Sequence, residues 1–467
     1  MIFVNPTIRS RSSPDQIKSI TQARRSDRAM AKQETLKATP PRGTRDFLPE
    51  EAALRDWACE KIKATYREHG FTPIETPALE NIKLLKRGEG GENLQLIFEI
   101  LKRGEKLEKA MSSNGQEPEL SDLGLRFDLT VPLVRYYSNN ANDLPIPFKA
   151  VQIGNVWRAE RPQKGRFRQF TQCDIDIIGL KSNFAELDLL NASSRALLAL
   201  GLDGFTIRIN DRRYLQDIAR YCGFPEDSWE RVFIAIDKLD KIGLDGVKTE
   251  LLQENPGQER AVEKLGEIFL STDELRSDTT ISGSEQIEKM RALLPDTESK
   301  GLLDELSDLI AAIDHNAEGY RIVFDPTLVR GMGYYTGPIF EISVPGYSFS
   351  VAGGGRYDRM IEKLLGREVP ACGFSIGFER IITILQDRNF SAPDRPALTA
   401  LVYDPARDSL EAVMQAFKNL KEQGHKATLV PRRKDLKKQL DQLKEQNISK
   451  FCLFRGEPDN LEIKDLS

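Results

Sequence analysis

The order of strand-like and helix-like segments predicts an α+β fold: a mostly antiparallel sheet with flanking helices, broken by a helical insertion and followed by a small α/β domain. Three observations carry this expectation. Two runs of β-formers, at residues 148–157 and 170–178, flank a turn-rich segment and read as an antiparallel pair. From Asp211 to Gly319 the chain becomes charged and helix-patterned. Beyond a polar, proline-bearing linker at 392–396, strand and helix patterns alternate.

In chain order, residues 1–40 hold eight Lys or Arg against three Asp or Glu, with little apolar periodicity, and read as a disordered N-terminal extension. An Arg-rich start is a feature of organelle transit peptides, but Asp15, Asp27 and Glu34 weigh against one, and no apolar stretch suits a secretory signal. The main domain is then expected over 41–210 and 320–390, the insertion over 211–319, and the last domain over 397–467. Leu54, Trp57, Ala58, Ile62 and Tyr66 recur at helical spacing between Glu50 and His69, and Gly70 follows as a stop. Residues 71–77 are extended, because each proline pushes its predecessor toward β geometry. Segments 92–101 and 124–137 read as strand, turn and helix, and 204–210 as a short alternating strand. After the insertion, 322–324, 339–344 and 347–352 return to strand chemistry, and 373–385 reads as a buried helix. In the last domain, strands at 398–403, 426–430 and 451–454 alternate with helices at 409–423 and 436–446, the pattern of a parallel sheet.

A 467-residue chain with 40% hydrophobic content can bury cores for two or three domains. No apolar run approaches the roughly 20 residues needed to cross a bilayer, so a membrane function is set aside. The net charge of −4, from 67 basic and 71 acidic residues, confines any polyanion-binding surface to local patches. Five cysteines without CxxC spacing and three scattered histidines argue against a disulfide framework and a zinc site, and favour a reducing cytoplasm.

The strongest chemical signal is RAERPQKGRFRQF, from Arg158 to Phe170. Arg158, Arg161, Lys164, Arg166 and Arg168 surround the turn residues Pro162 and Gly165. Forked guanidiniums on such a turn can grip the oxygens of a polyphosphate, although a solvated basic hairpin tip has the same composition. LVRGMGYYTG, from Leu328 to Gly337, joins one arginine to glycines that admit close backbone approach and to two adjacent tyrosines. AGGGRYD, from Ala352 to Asp358, lacks the spacing of a P-loop. Alone, either run reads equally as an ordinary glycine-bearing turn; together they look like walls of one pocket.

These runs resemble, in order, the motifs of histidyl-tRNA synthetases, a class II family. PRGTRDFLP (Pro41 to Pro49) resembles the family's opening, RAERPQKGRFRQFTQCDIDIIG its motif 2, LVRGMGYYTG and AGGGRYD its two histidine-specific motifs, and GFSIGFERI (Gly373 to Ile381) motif 3. The resemblance extends from Pro41 to the C-terminus.

It implies an ATP-dependent activation of L-histidine followed by transfer to tRNA(His). Arg158 and Arg330 would flank the α-phosphate, where fixed cations lower the barrier as negative charge builds on a pentavalent centre. Glu160 would receive the adenine amino group, Phe170 would stack on the ring, Arg166 would reach the terminal phosphates, and Arg380 would complete the ATP clamp. Asp128 and Thr130, in RFDLT, would hold the histidine α-amino group with help from Gln172. Asp176, Tyr334, Tyr335 and Tyr357 would surround the imidazole, so that wrong substrates leave buried polar groups unpaired. Mg2+ is implied with the β- and γ-phosphates, and a homodimer as the assembly. The last domain resembles the anticodon-binding module of class II enzymes. Its cluster of Arg432, Arg433, Lys434, Lys437 and Lys438 reads either as a phosphate contact or as a solvated helix face.

This sequence departs from the family in two places. Gly333 stands where an Asp is common, and relatives usually continue beyond the equivalent of Ser467, so the last domain reads as shortened. A regulatory paralogue of ATP phosphoribosyltransferase is the alternative, but such proteins generally lose the ATP-gripping residues, and Arg158, Glu160, Arg166, Arg330 and Arg380 are all present. A prolyl or threonyl synthetase fits motifs 2 and 3 but not the tyrosine-bearing run.

Overall fold

The structure is a computed structural model that describes residues 38–87, 91–112, 119–162, 166–254, 256–278, 281–293, 300–315, 317–331, 335–392, 398–446 and 448–466. Most of the expected N-terminal extension lies outside these residues, as do Lys164, Gly165, Gly333 and Tyr334. The chain divides between Asp46 and Phe47 into two units. In the first, Thr44 closes a turn by donating from its amide (3.0 Å) and its hydroxyl (2.8 Å) to Pro41 O.

The second unit is built on an eight-stranded sheet. Its strands are β1 (Thr72–Pro73), β2 (Phe148–Trp157), β3 (Gln169–Ile178), β4 (Phe205–Asp211), β5 (Tyr320–Phe324), β6 (Pro338–Ser343), β7 (Ser350–Arg356) and β8 (Ala371–Gly377). They lie in the order β1-β2-β3-β8-β7-β6-β4-β5, antiparallel except for the parallel pairs β1/β2 and β4/β5. The predicted hairpin is present, with Val156 opposite Phe170.

Alternation along the central strands separates core from site. On β3, Cys173, Ile175 and Ile177 enter the main core, and on β8 Cys372, Phe374 and Ile376 do the same. The helices Pro49–Glu68 and Phe184–Ala199 contribute Leu54, Ala58, Ile62 and Leu189 to that core. The intervening Gln172, Asp174 and Asp176, opposite Gly377, Ser375 and Gly373, therefore share the other face.

Two expectations are corrected here. Residues 373–385 are not one helix: β8 runs to Gly377 and the helix begins at Phe378. The run AGGGR is not a turn either, since Gly353–Gly355 lie inside β7, a strand placed later than the predicted 347–352. β8 alternates hydrophobic residues with alanine, glycine or serine and leads directly into a helix, while β7 carries three successive glycines that a turn would also carry, so neither shows the pattern of a half-buried strand.

Leu79–Asn81, Glu99–Leu101 and Ser121–Leu125 form a separate three-stranded sheet. Between β4 and β5 the chain runs through helices beginning with Arg212–Cys222, N-capped by Asp211, and ending with Lys300–Asp314. The C-terminal part has β9 (Leu398–Tyr403), β10 (Lys426–Pro431) and β11 (Ile448–Leu453) in parallel. A fourth strand not anticipated from sequence, β12 (Ile463–Asp465), adds antiparallel to β11. Helix Leu410–Glu422 packs Val413, Ala416 and Leu420 against Leu401 and Cys452, while Leu443 of helix Leu436–Glu445 joins the cluster of Ala400 and Val402.

Candidate active site

Two adjoining cavities lie over the bare face of the sheet. The inner one, about 170 Å³, is lined by Phe127, Asp128, Thr130, Asp174, Asp176 and Tyr357 among others. The outer one, about 260 Å³, is lined by Glu160, Arg166, Phe170, Arg330, Ser350, Glu379 and Arg380 among others. Arg158, Gln172, Tyr335, Gly353 and Ser375 line both, so the two form one cleft with a shared waist.

The predicted residues that the structure describes reach the cleft for local reasons. Asp128 accepts the amide of Val131 at 3.1 Å in the first turn of helix Thr130–Asn140, which sets its carboxylate and Thr130 at the inner wall. Arg158 follows the last residue of β2; its Nε donates to Phe127 O at 3.0 Å, and its guanidinium lies 5.1 Å from the Phe170 ring centroid. Arg166 Nη1 meets Glu160 Oε2 at 3.2 Å, and Arg380 donates to Ser350 Oγ at 3.1 Å. Gln172 donates to Ser375 Oγ at 3.3 Å, while its Oε1 is buried without a hydrogen-bond partner among the described residues. Tyr357 is buried and donates its hydroxyl to Asp176 Oδ1 at 2.6 Å. Arg330 reaches the outer cavity from the chain between β5 and β6, with Nη1 donating to Glu341 Oε2 at 2.8 Å. Of the tyrosine pair, Tyr335 lines both cavities and Tyr334 lies outside the described residues.

Missing side chains make the room. A Cβ on Gly353 would stand 2.0 Å from Arg330 Nη1, and one on Gly373 would stand 2.0 Å from Asp176 Oδ1. Only glycine lets these charged groups lie down on the strands.

The electrostatics of the two ends are opposite. Burial, then the Arg330 and Arg166 guanidiniums, hold the Arg380 pKa below its ordinary value, opposed by Glu341, with Arg158 adding to the depression. Cations crowded in this way form a receptor for a polyanion. At the inner end, burial raises Asp176 from the ordinary 3.8 to about 7; the Tyr357 hydroxyl opposes the shift and Asp128 adds to it. Burial and the neighbouring Asp176 push Asp174 well above its ordinary range. A cavity lined by carboxyl groups next to one lined by guanidiniums suits a cationic or hydrogen-bond-donating substrate beside a phosphate chain.

Sequence reading missed Asp174, Ser375, Leu96 and Phe127 in the inner wall and Glu379 in the outer one. Asp174 had a visible signal, since it sits two residues from both Gln172 and Asp176 on a strand and must share their face. Arg126, in RFDLT, is structural: it donates to Thr76 O at 2.7 Å and Asn155 O at 2.9 Å.

An antiparallel sheet with flanking helices, carrying arginines from its second strand's hairpin and from its last helix in one cleft, defines a class II aminoacyl-tRNA synthetase core. The sequence model of the family described as histidyl-tRNA synthetase matches residues 43–381. A histidine–tRNA ligase of Leifsonia xyli subsp. xyli is 47% identical over 406 residues, covering 86% of this chain and 92% of the relative. One of Christiangramia forsetii is 35% identical over 438 residues, covering 91% and 93%. The crystal structure of histidyl-tRNA synthetase from Nostoc sp. PCC 7120 superposes with a TM-score of 0.72 at 27% identity, covering 92% of this chain and 95% of that one. The chain belongs to the histidyl-tRNA synthetase family.

Proposed function

We infer that the chain is an ATP-dependent ligase that joins L-histidine to tRNA(His). In the first step the histidine carboxylate attacks the α-phosphorus of ATP, the bond to pyrophosphate breaks, and histidyl-adenylate forms. In the second, a terminal ribose hydroxyl of the tRNA attacks the acyl carbon and AMP leaves.

The observation that carries this reading is the shared waist. Arg158 and Arg330, from opposite ends of the core sequence, line one cavity, and Arg158 also borders the carboxyl-lined pocket beyond it. Two fixed guanidiniums there stabilise charge as the α-phosphate becomes pentavalent. Phe170 offers a ring face and Glu160 an acceptor for adenine, and Arg166 and Arg380 take the outer phosphates. Asp128, Thr130 and the unpartnered Oε1 of Gln172 receive the α-ammonium group. Asp176, Tyr335 and Tyr357 face the imidazole, and the family resemblance adds Tyr334, which lies outside the described residues.

Mg2+ fits as an ion carried by ATP. Among the described residues the carboxylates lining the outer cavity are Glu160, given above to adenine, and Glu379, paired with Arg55, so the ion would be held chiefly by the phosphates and water, as magnesium usually is at nucleotide sites. When bound, it neutralises charge on the β- and γ-phosphates. The assembly is a homodimer working in the cytoplasm, with residues 41–210 and 320–390 activating the amino acid, 211–319 flanking the tRNA acceptor end and 397–467 reading the anticodon. No described helix is long and apolar enough to cross a membrane.

Pyrophosphate exchange, run with each standard amino acid, should respond to histidine alone. In Arg330→Ala the rate should drop by about 10²–10³-fold. Exchange with no amino acid favours the regulatory paralogue, and a response to proline or threonine removes the histidine assignment.

A further inference from the structure

A single row of residues runs across six strands beneath the cleft. In cross-strand register, Gln152 (β2) faces Asp174 (β3), Asp174 faces Ser375 (β8), Ser375 faces Gly353 (β7), Gly353 faces Glu341 (β6), and Glu341 faces Arg208 (β4). Residues in register share a face, so the row continues the floor of the active site sideways. Arg330 lies across it, over the bare Gly353, with Nη1 on Glu341 Oε2 at 2.8 Å.

Glu341 in turn meets Arg208 Nη1 at 3.3 Å. Arg208, with 12% of its side chain exposed, also bonds the fully buried Asp325 at 2.6 Å and Asp240 at 3.0 Å. Asp240 belongs to helix Leu239–Glu254, between β4 and β5, and Asp325 takes Arg276 of helix Glu259–Ser277 at 3.2 Å. Arg330, Arg208 and Arg276 are thus matched by Glu341, Asp325 and Asp240. A third cavity of about 630 Å³ opens along this chain, bordered by Arg208, Asp237, Asp240, Arg330, Glu341 and Arg380.

A long arginine beside three other guanidiniums is driven out of the cleft by repulsion unless a carboxylate holds it. Resting on the role proposed above for Arg330, we propose that Glu341 is a positioning residue that sets this guanidinium at the reacting phosphate. Through Arg208 and Asp240, the same contact ties that setting to the helical insertion. The insertion's placement is thereby sensed at the reaction centre through salt bridges.

Histidine-dependent pyrophosphate exchange on the full chain tests this. Glu341→Ala lowers kcat by about 100-fold, the size of effect a misplaced catalytic group produces, with KM for ATP and histidine altered by less than about threefold. Glu341→Gln, isosteric and still an acceptor for Nη1, recovers about tenfold of the loss. Asp240→Asn, at an exposed position, lowers kcat by about threefold, and the pair Glu341→Gln/Asp240→Asn is no slower than Glu341→Gln alone, as expected of residues acting in series. Wild-type kcat in Glu341→Ala and Glu341→Gln alongside an inactive Arg330→Ala overturns the positioning role. Effects that multiply in the double variant, or none in Asp240→Asn, overturn the link to the insertion. Undiminished exchange in Arg330→Ala would instead remove the reading of the site, and this proposal with it.

Discussion

Gly353 shows how a missing side chain can be functional. The nearest atoms to a Cβ there are Nη1 and Cζ at the flexible end of Arg330, at 2.0 and 2.6 Å, followed by Phe340 O at 3.0 Å. Gly353→Ala should therefore move the arginine rather than break the strand, lowering exchange by about 100-fold while thermal unfolding stays close to wild type. Full activity in this variant would mean that Arg330 works from elsewhere. Asp176 makes a second prediction. Its pKa is raised to about 7 in the folded chain from 3.8, so the folded state keeps a proton that the unfolded chain gives up. That contribution to stability is complete below about pH 4 and is lost as pH rises through about 7. The same titration removes a proton from the histidine pocket, leaving an anionic acceptor for a ring N–H. Histidine KM should accordingly rise as pH falls from about 8 to 6, beyond the change owed to the free amino acid, and Asp176→Asn should lack that extra component. Superimposable pH profiles for the two proteins would refute it.

At the scale of elements, Arg55 links the N-terminal helix Pro49–Glu68 to the cleft. Arg55 makes a forked pair with Glu379, Nη1 to Oε2 at 2.6 Å and Nη2 to Oε1 at 2.7 Å, and lies between the Phe47 and Phe378 rings at 4.0 and 4.9 Å. Glu379 is only 7% exposed. Arg55→Ala should cost about 3–5 kcal/mol in urea unfolding, because it removes the cation paired with a largely buried carboxylate; a loss under about 1 kcal/mol would place the pair among weak surface bridges. None of this partnership was visible beforehand, since 324 positions separate the two residues. What could be read from sequence was local. The helix carrying Arg55, the β2/β3 hairpin and the parallel C-terminal strands all have clear apolar periods. β7 and β8 did not, because glycines that clear space for Arg330 and Asp176 erase the alternation that marks a strand. The elements hardest to recognise are thus the ones that floor the site. Residue types reached further than periodicity: of the arginines in 158–168 singled out for phosphate chemistry, Arg158 and Arg166 do line the outer cavity, together with Arg330, which the family resemblance supplied. Glu341, whose part depends on cross-strand register, could not be chosen without the sheet order.

For the whole molecule, the question is how a part remote in sequence from the cleft contributes to the reaction. β10 ends at Pro431 and helix Leu436–Glu445 starts after Asp435, whose side chain caps it through the Lys438 amide at 3.0 Å. The buried Gln439 fixes the intervening loop, donating to Pro431 O and accepting from the Arg433 amide, both at 2.8 Å. Arg432, Arg433, Lys434, Lys437 and Lys438 are consequently exposed on a backbone held in place, at a helix N-terminus that also favours anions. Exposure on an anchored backbone suits both a phosphate contact and a solvated face, and the two readings differ in what charge reversal does. If the phosphate reading is right, binding of tRNA and activation of histidine are separable. Lys437→Glu/Lys438→Glu should raise the KM for tRNA in aminoacylation by about tenfold or more and flatten its dependence on salt, since phosphate contacts release counterions. Pyrophosphate exchange should be unchanged, because neither lysine is among the residues lining the cleft. Were tRNA KM and its salt dependence both to stay at wild-type values, the cluster would be a solubilising surface and the tRNA contact would have to be sought on another face of the C-terminal sheet.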